Sequence, residues 1–169
     1  PVLCKVTITT ADDILSKKIE PGVPPSSDRF AMIDTLNQAG IFSGILLMPV
    51  LPWLEDSEEN IRSLVRQAHE AGARFIYAAF GMTLRENQRN WYYAKLEQLF
   101  PGQGLADRYR RQYGYQYKCS SPHASRLWKI FSQECERFHI LYRMKDIVPA
   151  YQKKYQMTQL RLFDIYRDD

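Results

Sequence analysis

Cysteine is scarce in this chain: Cys4, Cys119 and Cys135 are scattered through 169 residues. An odd, dispersed set builds neither a disulfide framework nor a metal-ligand pair, and it points to a reducing, cytoplasmic compartment. His69, His123 and His139 have no metal spacing among themselves and read as surface or boundary residues. Long apolar runs are missing as well. The longest, Gly44 to Leu54, is too short to cross a bilayer and contains Pro49 and Pro52, so no membrane association is expected. The N-terminus has no basic flank with a separate apolar segment, so no secretory signal is expected. It opens on Pro1 rather than an initiator Met, which fits either a fragment of a longer chain or a processed one.

What is present suits one compact α/β unit. The formal charge of +4 conceals an asymmetry. Residues 1–100 carry 10 Lys/Arg against 12 Asp/Glu, whereas residues 101–169 carry 13 against 7. The basic character therefore belongs to the C-terminal part, where it suits either a polyanion partner or plain solubility.

The chain opens with a strand over Leu3 to Thr9, in which Val6 and Ile8 alternate with Thr7 and Thr9. A strand ending in hydroxyls and carboxylates is where α/β proteins often place chemistry, and a strand followed by a solvated loop accounts for the same residues. Thr10 with Asp13 marks a weak helix start for a short turn carrying Ile14 and Leu15. After EPGVPPSSDR, a helix is predicted from Ser26 or Ser27 as N-cap through Phe30, Ile33 and Leu36 to Gly40. Ile41 to Val50 is nearly all apolar, as a strand buried on both faces requires. Asp56 as N-cap and Glu59 three residues on fit a capping box for a helix with Ile61, Leu64, Val65 and Ala68 on one face, ending at Gly72. A third strand is predicted over Arg74 to Phe80 and a third helix from Leu84 to Leu99. Three strand–helix units in succession predict a parallel sheet. So small a sheet reads as half of a larger one, whose edges its own C-terminal helices, a second copy in a homodimer or a missing N-terminal part must cover.

Beyond Pro101 the pattern changes. Leu105 to Tyr117 interleaves Arg108, Arg110 and Arg111 with Tyr109, Tyr113, Tyr115 and Tyr117, and Lys118 follows. Guanidiniums among aromatic rings hold phosphates and stack on bases; a helix end whose tyrosines sit at the core boundary explains the same residues. Pro122 to Phe138 is predicted helical with Leu127, Ile130, Phe131 and Cys135 on one face, which makes Cys135 a core residue, and a further helix covers Lys145 to Tyr155. These segments divide the chain into three strand–helix units (1–100), a basic, mainly helical extension (101–156) and a tail (157–169).

The series EPG, then Arg29, then AGI, GILLMPVLP, DSEE and AGARF resembles radical S-adenosylmethionine proteins of the spore photoproduct lyase type. The matching positions are Thr7, Thr9, Thr10, Glu20 to Gly22, Arg29, Ala39 to Ile41, Gly44, Pro49 and Asp56, within about the first 75 residues. The segment Arg111 to Lys118 is similar to the basic, Tyr- and Gly-containing stretch that follows the barrel in such lyases.

The resemblance implies that this chain is the C-terminal half of a (β/α)6 partial TIM barrel, with three parallel strands and their helices followed by the helical extension. It implies S-adenosylmethionine and a [4Fe-4S] cluster in the full-length parent, the cluster held by a CxxxCxxC segment that this sequence lacks. The chain alone is then expected to bind no cluster and to be inactive, and to supply cofactor-wall residues to an iron-sulfur lyase acting on or near DNA, as in DNA repair. Those residues are Thr7, Thr9 and Met48 beside Pro49, and the nucleic-acid contacts are Arg108, Arg110, Arg111, Tyr115 and Lys118. In the tail, Gln159, Leu160, Leu162 and Phe163 resemble the QLxLF pentapeptide that docks on the bacterial sliding clamp. A different class stays open: a non-catalytic α/β binding module whose basic arm recruits DNA or the clamp.

Overall fold

The computed structural model describes residues 2–153, so the clamp-like residues Gln159, Leu160, Leu162 and Phe163 lie outside it. Strands β1 (Leu3–Thr7), β2 (Phe42–Leu47) and β3 (Phe75–Ala78) form a parallel sheet in the order β1-β2-β3. Helices α1 (Asp13–Ile19) and α2 (Ser26–Gln38) follow β1, and α3 (Glu58–Glu70) follows β2. After β3 come a short β4 (Gly81–Thr83) and α4 (Glu86–Leu99), then α5 (Leu105–Tyr113), β5 (Lys118–Ser120), α6 (Ala124–Arg137) and α7 (Met144–Gln152). The parallel α/β arrangement expected of the three strand–helix units is thus present, in a mixed α/β fold.

In-register neighbours on parallel strands project to the same side, so the sheet has two distinct faces. Val6, Ile45 and Ile76 share one of them, as do Leu47 and Ala78. This face belongs to the main core, with Phe30 and Ile33 of α2, Ile61, Leu64, Val65 and Ala68 of α3, and Leu127, Ile130, Phe131 and Cys135 of α6. The 3.6-residue spacing in α3 and α6 is what turns those side chains inward together. The opposite face pairs Lys5, Gly44 and Phe75, then Thr7, Leu46 and Tyr77. Lys5 and Tyr77 are exposed there, and Thr7 and Leu46 are half-buried. Gly44 is required at its position, because a Cβ would stand 2.3 Å from the Phe75 carbonyl oxygen.

The two sheet edges also differ. Along the outer side of β3, Ile76 N–H donates to the Leu141 carbonyl (2.8 Å) and Leu141 N–H donates to the Arg74 carbonyl (3.1 Å), so the segment after α6 covers that edge. No strand among the described residues pairs with the outer side of β1.

A second core unites α4, α5 and the antiparallel β4–β5 ribbon around Leu84, Tyr93, Leu96, Leu105, Tyr109, Tyr113 and Cys119. It joins residues on both sides of position 100, where the sequence pattern changes.

Several local expectations are corrected. β1 stops at Thr7 and β2 at Leu47, earlier than the apolar runs suggest, since the residues that follow turn into connections toward helices. Asp56 does not cap α3. Ser57 does, its hydroxyl accepting from Asn60 N–H (3.1 Å), while Asp56 is drawn inside by the hydroxyl of Ser121, 65 residues on. Ser26 is the first residue of α2 rather than its cap, and Pro25 precedes it without a side-chain bond. For α1 the cap is Asp12, which accepts from Ile14 and Leu15 N–H, rather than Thr10. The residues after β3 form β4 and pair with β5, an element of three residues that carries no periodicity to read.

Candidate functional site

Where β1 ends, the chain is tied to the β2–α3 connection by buried polar groups. Ile8 N–H still donates to the Leu46 carbonyl (3.1 Å), after which the chain turns away from the sheet. The Thr9 hydroxyl donates to Glu55 Oε1 at 2.5 Å, and Leu51 N–H donates to Glu55 Oε2 at 2.8 Å. Asn60, in the first turn of α3, donates from Nδ2 to the carbonyls of both Thr9 (2.9 Å) and Glu55 (2.7 Å), and accepts from Ala11 N–H through Oδ1 (2.8 Å). Glu55 is 1% exposed. Burial pushes its carboxyl up to about 7; the bonds from Thr9 and Leu51 oppose the rise, and the charges of Glu20 and Asp56 add to it.

Arg29 ties the same corner to the loop between α1 and α2. Its Nη1 donates to the Thr7 carbonyl (3.0 Å) and pairs with Glu20 (2.7 Å), and its Nε donates to the Pro24 carbonyl (2.7 Å). The structure thus assembles Thr7, Thr9, Glu20 and Arg29, all singled out in the sequence, at one end of the sheet. Thr7 projects to the open face. Thr9 does not offer a free hydroxyl, since its proton is engaged by Glu55 and the residue is buried.

Next to this corner, Asp56 Oδ1 accepts from Trp53 N–H and Oδ2 from the Ser121 hydroxyl, both at 2.6 Å. Trp53 adopts a positive φ of 62° and lays its ring against Tyr109 (4.9 Å) with the Arg108 guanidinium over it (5.3 Å). Tyr109 is fully buried, donating to the Pro52 carbonyl and accepting from Tyr92, each at 3.0 Å.

A groove of about 910 Å³ opens beyond the C-terminal ends of β2 and β3, the position at which parallel sheets commonly bind ligands. Met48 and Pro49 form part of it, with Met82, Tyr117, Lys118 and Trp128 on other sides.

The predicted nucleic-acid residues divide. Arg108 is stacked on Trp53, and Arg110 is held by Asp107 (2.8 Å), Glu97 (3.3 Å) and the Tyr93 ring. Arg111, Tyr115 and Lys118 are exposed, Tyr115 at 90%. The loop between α5 and β5, which carries Tyr115, is fastened from beneath by Arg89, whose buried guanidinium donates to the carbonyls of Leu84 (3.1 Å), Gly114 and Gln116 (both 2.8 Å). Tyr109 and Tyr113 face inward, as the core-boundary reading of this segment holds.

Glu55, Asn60, Arg89 and Ser121 escape a reading of the sequence. Glu55 alone carries a visible signal, an acid closing the apolar, proline-containing run GILLMPVLPWL. The thiols are dispersed over β1, β5 and α6, and burial pushes those of Cys119 and Cys135 up. No cluster of three or more His, Cys, Asp or Glu side chains among the described residues is arranged to hold a metal ion. None of the described helices is long and apolar enough to cross a membrane.

No protein-family model matches the chain, and no solved structure matches it. Uncharacterized proteins of Mycobacterium tuberculosis and Mycobacterium bovis are each 34% identical to it over 113 residues, covering 67% of this chain and 32% of the relative. An uncharacterized protein of Acidianus two-tailed virus is 25% identical over 95 residues, covering 54% of this chain and 31% of the relative. The chain spans about a third of the length of the curated relatives it matches.

Proposed function

We propose that this chain is the C-terminal part of a radical S-adenosylmethionine lyase similar to spore photoproduct lyase, acting on or near DNA, and that it supplies part of the cofactor and substrate wall. The observation that carries the reading is the asymmetry of the parallel sheet. β3 is covered on its outer edge by Leu141, whereas among the described residues β1 has no partner strand on its outer edge, and Tyr77 is exposed on the sheet face it shares with the half-buried Thr7 and Leu46. A preceding half-barrel would continue the sheet along β1 and enclose that face. The mycobacterial relatives, of which the matched 113 residues make up 32%, are long enough for such a parent.

The fit to the cofactors is uneven. The dispersed thiols of this chain do not fit a [4Fe-4S] cluster, so in this reading residues outside the chain hold the cluster. For S-adenosylmethionine, the residues that suit it are Met48 with Pro49, at the groove beyond β2, and Thr7 on the open face. Thr9 acts through its bond to Glu55, holding the corner rather than reaching a ligand. When bound, S-adenosylmethionine supplies the adenosyl group for hydrogen abstraction; the groove walls orient substrate and exclude water.

Anaerobic reconstitution of the full-length parent with iron and sulfide tests the proposal. Cluster absorbance and cleavage of S-adenosylmethionine are expected, and a parent lacking both overturns it. The exposed set Arg111, Tyr115, Tyr117 and Lys118 favours a second reading, a non-catalytic module whose basic arm recruits DNA; that reading predicts salt-dependent DNA binding without any cluster. Homodimerisation along β1 and docking of the tail on a sliding clamp are further proposals from the sequence.

A further inference from the structure

Glu55 is a carboxylic acid placed where no water reaches it. Its two oxygens accept one hydrogen bond each, from the Thr9 hydroxyl and from Leu51 N–H, and Asn60 stitches the carbonyls of Thr9 and Glu55 and the amide of Ala11 into one unit. The charged or titratable groups that act on it are of one sign: Asp56 on its own loop, Glu20 at the end of α1, and the Tyr92 phenol of α4, whose ionisation Glu55 in turn opposes. Arg29, the cation in this corner, is held by Glu20, Pro24 and Thr7. We propose that Glu55 is a proton-operated latch: with its proton bound it clamps the Thr9–Ala11 corner onto the Leu51–Asn60 connection, and on losing the proton it favours an opened corner where water solvates the charge.

The direction follows from linkage. The closed corner holds the carboxyl at about 7. An opened, hydrated corner returns it to the ordinary carboxylate range, so the closed state binds the proton more tightly and rising pH favours opening. Across the interval between the two values, the closed-to-open ratio shifts on the order of a hundredfold. The latch stands independently of the cofactor proposed above, because every group in it belongs to this chain and its readout needs no ligand.

The experiment is a carbon-detected NMR titration of the Glu55 carboxyl in the 169-residue chain, together with hydrogen exchange of the Ala11 amide, corrected for intrinsic base catalysis, from about pH 5.5 to about pH 8.5. The expected result is a Glu55 midpoint near 7, and Ala11 protection that falls at least about tenfold as pH rises toward 7 and levels off above it. Glu55→Gln keeps the shape without the charge, and Ala11 is expected to stay protected throughout the range. Thr9→Val removes a bond that favours the ionised form, so the Glu55 midpoint and the pH at which Ala11 protection levels off both move up. A Glu55 midpoint in the ordinary carboxylate range overturns the latch, as does a corrected Ala11 profile without a step. Unchanged midpoints in Thr9→Val overturn it even if Glu55→Gln fails to fold.

Discussion

The hydroxyl of Ser121 donates to the carboxylate of Asp56 at 2.6 Å in the protein interior, across 65 residues of sequence. This bond joins the connection after β2 to the strand end after β5, and so fastens the ribbon and second core onto the parallel sheet. Because the other oxygen of Asp56 holds Trp53 N–H, the same carboxylate also sets the loop that places the Trp53 ring between Tyr109, Tyr113 and Arg108.

Asp56→Ala leaves the Trp53 N–H and the buried Ser121 hydroxyl without an acceptor and is expected to cost about 3 kcal/mol, whereas Ser121→Ala, which removes one of those donors and the acceptor of His123 N–H, costs about 1.5 kcal/mol. Urea unfolding of both variants measures the difference. Equal costs would show that the Trp53 bond adds nothing.

Global stability carries a pH dependence from Glu55. Its folded carboxyl, raised to about 7, lies above its unfolded value, so its contribution is full below the unfolded value and is lost as pH rises through 7. The loss is about 3 kcal/mol at most, and Glu55→Gln is expected to flatten this part of the profile. Denaturant midpoints at a series of pH values check it.

Arg89→Lys keeps the charge but not the fork that reaches Leu84, Gly114 and Gln116 together. A loss of about 2 kcal/mol is expected, with faster hydrogen exchange at Gln116 and Leu84, whose amides donate to Tyr113 and Tyr117. Slower or unchanged exchange would mean that the loop does not depend on the guanidinium.

Gly44→Ala places a methyl against the backbone of β3. Because the neighbour is a carbonyl rather than a flexible side-chain end, β2 and β3 must separate, and about 3 kcal/mol is the expected cost by thermal unfolding. A variant as stable as the parent would show that the strands move apart freely.

For DNA, the joint substitution of Arg111 and Lys118 by Ala is expected to weaken binding and to lower the salt slope by about 2, whereas Arg110→Ala leaves both nearly unchanged because Asp107 and Glu97 already hold that guanidinium. Fluorescence anisotropy at several salt concentrations distinguishes the two.

Much of the architecture is legible in local pattern. The i, i+3, i+4, i+7 spacing of Ile61, Leu64, Val65 and Ala68 defines the buried face of α3, and the glycines after α2 and α3 take positive φ where those helices stop. The apolar run IFSGILLMPV marks the central strand. Of the site, Thr7, Thr9, Glu20 and Arg29 stand out as residues, but their mutual contacts do not. DSEE illustrates the limit: its spacing suits Asp56 as a cap, and a serine on another element claims the carboxylate instead.

The sequence by itself determines the helix faces, the succession of strand–helix units and the basic bias of the second half, because each depends on neighbours a few residues apart. Tertiary structure alone decides that Glu55 meets Thr9 46 residues away, that Tyr109 turns inward while Tyr115 stays out, and that residues 81–83 pair with 118–120. A hydrogen bond between distant residues or a three-residue ribbon leaves no period in the chain. Such contacts are selected when packing brings the partners together and leaves a buried polar group no water to bind.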